Sequence, residues 1–429
     1  MLREAHAHIP SHGRELAMLS LAACTSRDDL LSRVASRHEE LHNTREGVGE
    51  WLIGTSVRAN AWADHRWPNI EELDAISRSR PIVLMSFDHH CVVANTPALV
   101  AAGISDSTPD PVGGEICRDA RTGVLTGLLL ESAAKLVMGA IPPESAEMRE
   151  AWVVAALEDL AEYGFSSVHD LLSPAWLGPV LAKLDDEDRL PLEVWLYPPV
   201  VEVELQAAAA RGGSVESESG WERPRVRLAG GKIFADGTLN SLTAWMLKPF
   251  ASAPAGRECG SALMGVSAIA SAIERVSNLG LGLAVHAIGD GAVRAALDAA
   301  GIMRSGGFLD GGVPRVRIEH CEVIDEADVA RFARLGVVAS VQPCHLLTDI
   351  EVLKREVPDR LHRVLPLREL IDAGCSPGEL LWFGSDTPIV RPHPEDSILA
   401  ATMRGRGDGV MIAAEQRISM RECLAAFSP

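Results

Sequence analysis

Two histidines near the start of the chain, in Ala5-His6-Ala7-His8, are the first residues whose type and spacing indicate chemistry. Side chains on a β-strand alternate between two faces, so residues two apart point the same way and both imidazoles can meet one cation. The pair alone is a weak signal in a chain with 14 histidines. It becomes stronger because further potential metal ligands follow in separate segments, at Lys232, His286, His320 and Asp386.

Each of these residues lies in, at the end of, or just after an apolar segment with the pattern of a strand. The predicted strands are residues 2–9, 165–169, 192–196, 226–235, 281–287, 315–320, 337–342 and 380–385. Helical patterns separate most of them, including Asp290–Met303 and Asp325–Leu335, the second with Asp325 as its N-cap. Eight strands that alternate with helices predict an α/β fold of the (β/α)8 TIM-barrel class.

The long interval between the first two strands predicts the domain organisation. Residues 1–9 and 145–429 would form the barrel, and residues 10–144 would be an insertion between strands 1 and 2 that covers the active-site mouth. Within the interval, residues 14–47 have a helical pattern and residues 81–87 have the pattern of a strand.

The chemistry of a (β/α)8 barrel lies at the C-terminal ends of its strands, where most of the candidate ligands are placed. Neutral imidazole nitrogens and carboxylate oxygens are suitable ligands for Zn²⁺ and similar divalent ions, so the residues predict a metal site. Lys232 does not fit as a bare cation, because a buried ammonium group is costly. It would either pair with Asp236 or be chemically altered.

Composition excludes several classes of partner. The chain has 429 residues, 47% of them apolar, and 59 acidic against 40 basic residues give a net charge of −19, which argues against nucleic acid and anionic membranes. The polar start MLREAHAH does not fit a signal peptide, and no apolar run is long enough to span a bilayer. Eight cysteines without a Cys-x-x-Cys pair favour a reduced, cytoplasmic protein.

Six motifs resemble those of the amidohydrolase superfamily and, within it, amidohydrolase family 3, the YtcJ-like branch. They are His6-Ala7-His8 and residues 230–237 (GGKIFADG), 285–290 (VHAIGD), 317–320 (RIEH), 340–345 (SVQPCH) and 383–388 (FGSDTP). The resemblance covers essentially the whole chain. Because the chain starts almost at the first motif and stops soon after a last helix, we expect a form without the terminal β-sandwich of other members. Glu4 and His89 depart from the usual aspartate and glycine.

The resemblance implies a role for each candidate residue. One or two divalent ions, most simply Zn²⁺, would be held by His6, His8, Lys232, His286, His320 and Asp386. Lys232 would be carbamylated by CO₂ and would bridge the ions as an anion. Asp386 would be the catalytic base that takes the proton of a metal-activated water. His90 and His345 would contact the substrate.

The predicted function is therefore that of a metal-dependent hydrolase that cleaves a non-peptide amide or related C–N bond of a small molecule. The same site could instead hydrolyse an ester, a lactone or a phosphoester. A deaminase is disfavoured because Lys232 is present and Ile288-Gly289-Asp290 follows His286. A barrel that binds a ligand without turnover is the alternative from another class. A homodimer is compatible with the resemblance, because dimerisation is common in the superfamily.

Overall fold

The structure is a computed structural model that describes residues 1–43, 51–59, 62–63, 65–86, 91–212, 220–253, 255–307, 316–406 and 409–428. The chain divides into two compact units. The first consists of Met1–Gly13 with Val153–Pro429, and the second is Arg14–Trp152. The predicted boundaries at residues 9 and 145, and the coverage of a mouth by residues 10–144, stay predictions.

Fifteen strands and fifteen α-helices are seen in the described residues. The strands are β1 Leu2–Ala7, β2 Leu19–Ser20, β3 Leu52–Val57, β4 Ile82–Ser86, β5 Cys91–Ala94, β6 Gly114–Arg118, β7 Leu125–Glu131, β8 Phe165–Leu171, β9 Glu193–Tyr197, β10 Val226–Leu228, β11 Gly230–Phe234, β12 Gly282–Ala287, β13 Val316–His320, β14 Val338–Val341 and β15 Leu381–Phe383. The helices are α1 Ile9–Ala17, α2 Arg27–Asn43, α3 Ile70–Ile76, α4 Thr96–Ala101, α5 Ser132–Met138, α6 Ala146–Glu162, α7 Leu177–Asp186, α8 Val203–Arg211, α9 Val266–Ser277, α10 Asp290–Ser305, α11 Glu326–Leu335, α12 Leu346–Glu356, α13 Leu367–Asp372, α14 Pro394–Met403 and α15 Met420–Ala426.

Two parallel sheets build the first unit. One has the order β1-β8-β9-β10 and the other has the order β11-β12-β13-β14-β15. Their edges are joined by isolated bridges, from Ala7 to Thr387 and from Pro199 to Lys232. Continuous strand pairing is therefore found within each sheet, whereas the two sheets are joined only by single β-bridges. An α/β fold is confirmed, whereas ladder pairing around a complete barrel is not seen.

The predicted strand at residues 226–235 is split, which corrects the sequence prediction. β10 pairs with β9, whereas β11 pairs with β12. Ala229 lies between the two strands and bonds to both neighbours, since its N–H donates to Leu196 O at 2.9 Å and its C=O accepts from Gly282 N–H at 2.9 Å. The split places Lys232 in the second sheet, opposite Ala284.

The prediction of helix over residues 14–47 is also wrong in part. α1 ends at Ala17 and α2 begins only at Arg27, with the short strand β2 between them. β2 pairs in parallel with Gly54 and Thr55 of β3. A tertiary contact thus overrides the local helical periodicity, because pairing satisfies the backbone groups of Leu19 and Ser20. The strand predicted at residues 81–87 is present as β4, within the mixed sheet β2-β3-β4-β5-β7-β6 of the second unit.

Other predicted elements are confirmed near the ligand-bearing strands. α10 begins at Asp290 as predicted, and Asp325 is the N-cap of α11, where its side chain accepts a hydrogen bond from Ala327 N–H. An apolar core packs the strands against these helices, with Val285, Ile318 and Phe332 fully buried in it. Rigid packing of this kind fixes where each strand ends and where its terminal side chains are presented.

The described part of the chain contains no helix that is both long and apolar enough to cross a membrane. All eight cysteines are among the described residues, and each is a free thiol. A cytoplasmic location stays a prediction.

Candidate active site

Three of the predicted ligands converge on one buried point. Potential ligand atoms of His6, His320 and Asp386 all lie within 4.8 Å of one another. His6 is on β1, His320 ends β13, and Asp386 follows β15, so three separate strands supply them. His320 and Asp386 have φ angles of 70° and 63°. Such left-handed conformations are uncommon for residues other than glycine and are concentrated at functional sites.

His8 joins the same cluster from the end of β1. Its Nε2 lies 3.0 Å from Asp386 Oδ1, and the Nε2 of His6 lies 3.3 Å from the same oxygen. The other ring nitrogen of His8, Nδ1, donates to the carbonyl of Leu171 at the end of β8. That bond leaves Nε2 as the ring nitrogen that faces Asp386 and that would bind a metal ion.

His286 lies beside the cluster with its ring 4.4 Å from that of His320. In the structure its Nε2 is directed to the carbonyl of Gly237 at 3.1 Å and lies 3.6 Å from Asp236 Oδ1. The register explains its position, because His286 is paired with Phe234, two residues beyond Lys232 on β11. His286 is therefore adjacent to the group of three without being a member of it.

Lys232 is almost fully buried on β11. Its Nζ lies 5.2 Å from the centre of the Phe234 ring. Burial lowers the pKa of its ammonium group to about 8, although the carboxylates of Glu319 and Asp386 oppose the shift. The predicted alternative partner, Asp236, instead accepts hydrogen bonds from the backbone amides of residues 245, 288 and 289.

The two predicted substrate contacts have different outcomes. His345 follows β14 in a 3₁₀ turn, Pro343–His345. Its Nε2 donates to Ser385 O at 3.1 Å and lies 4.0 Å from Asp386 Oδ2, so it borders the cluster. His90 falls outside the described residues, and its substrate contact stays a prediction.

The electrostatics of the cluster suit a divalent cation. Burial lowers the pKa of His6 to about 4 and that of His286 to about 3, and it holds the pKa of His320 well below its usual range. These imidazoles are therefore neutral at pH 7 and their lone pairs are available. Burial alone would raise the pKa of Asp386, but the neighbouring imidazoles of His6 and His8 hold it well below its usual range. Burial alone would lower the pKa of His8, but the hydrogen bond to Asp386 and its charge raise it.

A ring nitrogen of His320 indicates whether a metal ion fits the cluster. His320 Nδ1 is buried and has no hydrogen-bond partner among the described residues. A buried polar atom without a partner is costly, so it usually marks a ligand or water position. Neutral nitrogens and one carboxylate are also the donor set that zinc-like ions prefer. The residues present therefore fit a divalent metal ion.

A sequence model described as the amidohydrolase family matches residues 2–429. Bacillus subtilis (strain 168) YtcJ, a protein named as an amidohydrolase, is 30% identical over 409 residues, which cover 94% of this chain and 72% of YtcJ. The chain belongs to the amidohydrolase family. The resemblance predicted from the motifs is thus confirmed.

Two further members of the comparison agree with this family assignment. The N-substituted formamide deformylase of Arthrobacter pascens is 26% identical over 396 residues, which cover 91% of this chain and 71% of the deformylase. An uncharacterized metal-dependent hydrolase from Pyrococcus horikoshii OT3 has a crystal structure that superposes with a TM-score of 0.74 at 25% identity, over 99% of this chain and 79% of that one. Together they support a metal-dependent hydrolase with a divalent ion.

The chain also contains a group of buried charged residues around His6 whose contacts could not be read from the motifs. His6 Nδ1 lies 2.7 Å from Glu319 Oε2 and donates to it, which leaves Nε2 free to act as a ligand. Arg317 donates to both oxygens of Glu319 and to Ser340 Oγ, the latter at 2.9 Å. Burial alone would raise the pKa of Glu319, but Arg317 and His6 hold it far below its usual range.

Two other residues near the site were missed from the sequence. Phe234 lies 5.1 Å from the ring of His286, and the position of Phe234 two residues after Lys232 could have revealed that both lie on one face of β11. His12 links Asp159 to the turn after Asp386, through contacts of 2.8 Å to Asp159 Oδ2 and 3.0 Å to Thr387 Oγ1. No sequence pattern pointed to His12, because its partners are 147 and 375 residues away.

Proposed function

We propose that this chain is a metal-dependent hydrolase that cleaves a non-peptide amide or a related C–N bond of a small molecule. The observation that carries the proposal is the buried convergence of His6, His320 and Asp386, with a fourth potential ligand, His8, 3.0 Å from the aspartate. The C–N specificity is supported by the relative named as an N-substituted formamide deformylase.

We assign the ligands as follows. His6, His8 and Asp386 would hold one ion, His286 and His320 a second, and the donor set favours Zn²⁺. A bound ion would lower the pKa of a coordinated water and polarise the scissile carbonyl group. His286 would have to turn its Nε2 away from Gly237 O, which now lies 3.1 Å from it.

Carbamylation of Lys232 is part of the proposal. The ammonium group would first lose one proton to solvent. The neutral amine nitrogen would then attack the carbon of CO₂, so that an N–C bond forms while one C=O π bond breaks and its electron pair stays on oxygen. A second N–H proton would leave to solvent, and the cation thereby becomes an anion. The reaction needs the neutral amine, and the pKa of about 8 makes a larger neutral fraction available than an exposed lysine has at pH 7. The carbamate would supply anionic oxygen atoms as ligands for a divalent ion.

Side chains of the protein would transfer the proton, bind the substrate and orient the ligands. Asp386 is ionised and lies at the centre of the cluster, so it can accept a proton from the attacking water and later donate it to the leaving nitrogen. His345, which borders Asp386, would bind the substrate. Glu319 keeps His6 in the tautomer that presents Nε2 to the cluster.

The closed (β/α)8 barrel is proposed together with this function. It is supported by backbone bonds that join the edges of the two sheets, from Asp386 N–H to His6 O at 2.7 Å and from Lys232 N–H to Pro198 O at 2.7 Å.

Metal content of the purified protein tests the proposal. We expect about two ions per chain in the wild type by elemental analysis, falling towards one or none in Lys232→Ala. Lys248 is an exposed lysine, so Lys248→Ala is the matched control and should retain both ions. A wild-type protein without metal, even after reconstitution with Zn²⁺ and bicarbonate, would contradict the proposal. A loaded protein that hydrolyses esters but no N-acyl or formamide substrate would support the esterase alternative.

A further inference from the structure

We propose that Glu4 is a positioning residue, whose carboxylate holds together the two backbone segments that carry His6 and Asp386. The inference goes beyond the assignment of ligands and rests on the proposed function only in its use of metal binding as a readout. In the sequence, Glu4 is distinguished only by its departure from the usual aspartate, two residues before the first histidine.

One oxygen of Glu4 accepts hydrogen bonds from two backbone amides that lie in different segments of the chain. Glu4 Oε1 lies 2.9 Å from His6 N and 2.9 Å from Ser385 N. Ser385 directly precedes Asp386, so the two amides belong to the segments that present two ligands to the cluster. Glu4 itself is fully buried, so water does not compete for these donors.

The carboxylate acts where the sheets lack continuous pairing. β15 ends at Phe383 and β1 ends at Ala7, and few backbone bonds join the segments beyond, including Asp386 N–H to His6 O and His8 N–H to Thr387 O. Buried amides need an acceptor. At this seam between the sheets, Glu4 takes the place of the backbone carbonyls that would accept them in a regular ladder.

Gly384 provides the space that this arrangement needs. A Cβ atom added at Gly384 would lie 2.5 Å from His6 N and 2.7 Å from Glu4 Oε1. Both distances are below van der Waals contact, so a side chain there would push the seam apart. Glycine at position 384 therefore leaves the space in which the Glu4 carboxylate accepts its two hydrogen bonds.

The seam matters because metal binding tolerates little displacement. His6 Nε2 and Asp386 Oδ1 are 3.3 Å apart, and metal–ligand distances vary by only about 0.2 Å in functioning sites. Shortening Glu4 to aspartate withdraws the oxygen by about 1.5 Å, the length of one C–C bond. Neither amide would then have an acceptor within hydrogen-bonding distance.

The test is the affinity for Zn²⁺, measured by competition with a chromophoric chelator at a temperature well below unfolding. We expect Glu4→Gln to bind within about threefold of the wild type, because the amide oxygen can accept the same two bonds. Glu4→Asp and Glu4→Ala should bind about 10- to 100-fold more weakly, as is typical when support of a metal ligand is lost. Rescue by glutamine separates acceptor geometry from charge.

A buried carboxylate away from the cluster is the matched control. Glu356 accepts from Ser252 Oγ at 2.7 Å and from Ser252 N at 3.2 Å, and it is also almost fully buried. Glu356→Ala should lower the unfolding temperature without weakening Zn²⁺ binding. A general loss of packing would affect both variants in the same way.

Gly384→Ala provides an independent test that does not alter Glu4. We expect it to weaken Zn²⁺ binding by at least 10-fold, whereas Gly301→Ala, which would meet no atom closer than 3.9 Å, should not. Wild-type affinity in both Glu4→Asp and Gly384→Ala would overturn the inference, as would equal losses in Glu4→Gln and Glu4→Ala. A wild type that binds no Zn²⁺ would instead overturn the proposed function together with this inference.

Discussion

At the scale of single residues, the site depends on an arginine that is buried beneath the ligands. Arg317 is 1% exposed, yet each of its three side-chain nitrogens donates to an acceptor, including Nη1 to His169 Nδ1 at 2.6 Å. The guanidinium group remains protonated at any physiological pH, so His169 Nδ1 must accept and its imidazole must be neutral. Burial and the positive charges of Arg317 and Arg3 hold the pKa of His169 well below its usual range.

This arrangement predicts a pH dependence of stability. An unfolded histidine titrates near pH 6.5, so below that pH the unfolded chain binds a proton that folded His169 does not bind. The free energy of unfolding should therefore fall by about 1.4 kcal/mol for each pH unit below about 6 on account of His169. In His169→Gln this contribution disappears, and the slope measured by urea unfolding of the metal-free protein should be flatter by that amount.

The control separates titration from packing. His169 stacks on Trp195 with ring centres 5.4 Å apart. Trp195→Phe should lower the free energy of unfolding equally at each pH, because it removes contact area without removing the titrating group. A His169→Gln variant with the wild-type slope would show that His169 is protonated in the folded protein.

At the scale of secondary-structure elements, one side chain organises three segments of the second unit. Asn95 is the N-cap of α4, and its Oδ1 accepts from Ala98 N at 3.2 Å and from Ile82 N at the start of β4 at 2.8 Å. Its Nδ2 donates to Ser77 O and Arg80 O, both at 2.9 Å. All four bonds are buried, so Asn95 fixes the start of β4 relative to α3 and α4.

We predict that Asn95→Ala is strongly destabilising for this unit. Four buried backbone groups would lose their partner, and each unsatisfied group costs about 1–3 kcal/mol, so a loss of at least about 3 kcal/mol is expected even after partial hydration. Hydrogen exchange of peptides that cover β3 and β4 should show protection lowered about 100-fold. Thr96→Val, which removes only an exposed bond to Asp74, should change protection by less than about fivefold. Similar effects of the two variants would contradict the prediction.

At the scale of the whole molecule, the two units have separate cores, and the predicted metal ligands lie in one unit only. The core around Val285 and Ile318 belongs to the first unit, whereas the clusters around Val83 and Leu84 belong to the second. The six predicted ligands all fall in the first unit. A ligand stabilises only the structure that binds it, by an amount set by its concentration and dissociation constant.

Removal of metal should therefore act on one unit. With free Zn²⁺ at about 100 times its dissociation constant, binding adds about 2.7 kcal/mol, which is a roughly 100-fold change in protection. We expect chelation to raise hydrogen exchange by up to that factor in peptides that cover β1 and β13. Peptides that cover β3 and β7 are the internal control and should be unchanged. Equal changes in both units would contradict the assignment of the ligands to the first.

Much of the site could be predicted because its motifs are local. His6 and His8 are two residues apart on one strand, and the strand ends at His320 and before Asp386 are marked by apolar runs. Period-two alternation and the chemistry of imidazole and carboxylate are properties of the sequence itself. The N-cap at Asp325 was predictable for the same reason, since capping uses a residue and its immediate neighbours.

The tertiary structure decided what depends on distant partners. The sequence by itself determined the family, the α/β class and the identity of the ligand candidates. Only the fold showed that Glu4 bonds to Ser385 across 381 residues, that His286 is turned towards Gly237, and that the strand at residues 226–235 divides between two sheets. The physical reason is that a hydrogen bond or a strand pairing is formed between whichever groups the packed chain brings together, and local sequence does not encode that proximity.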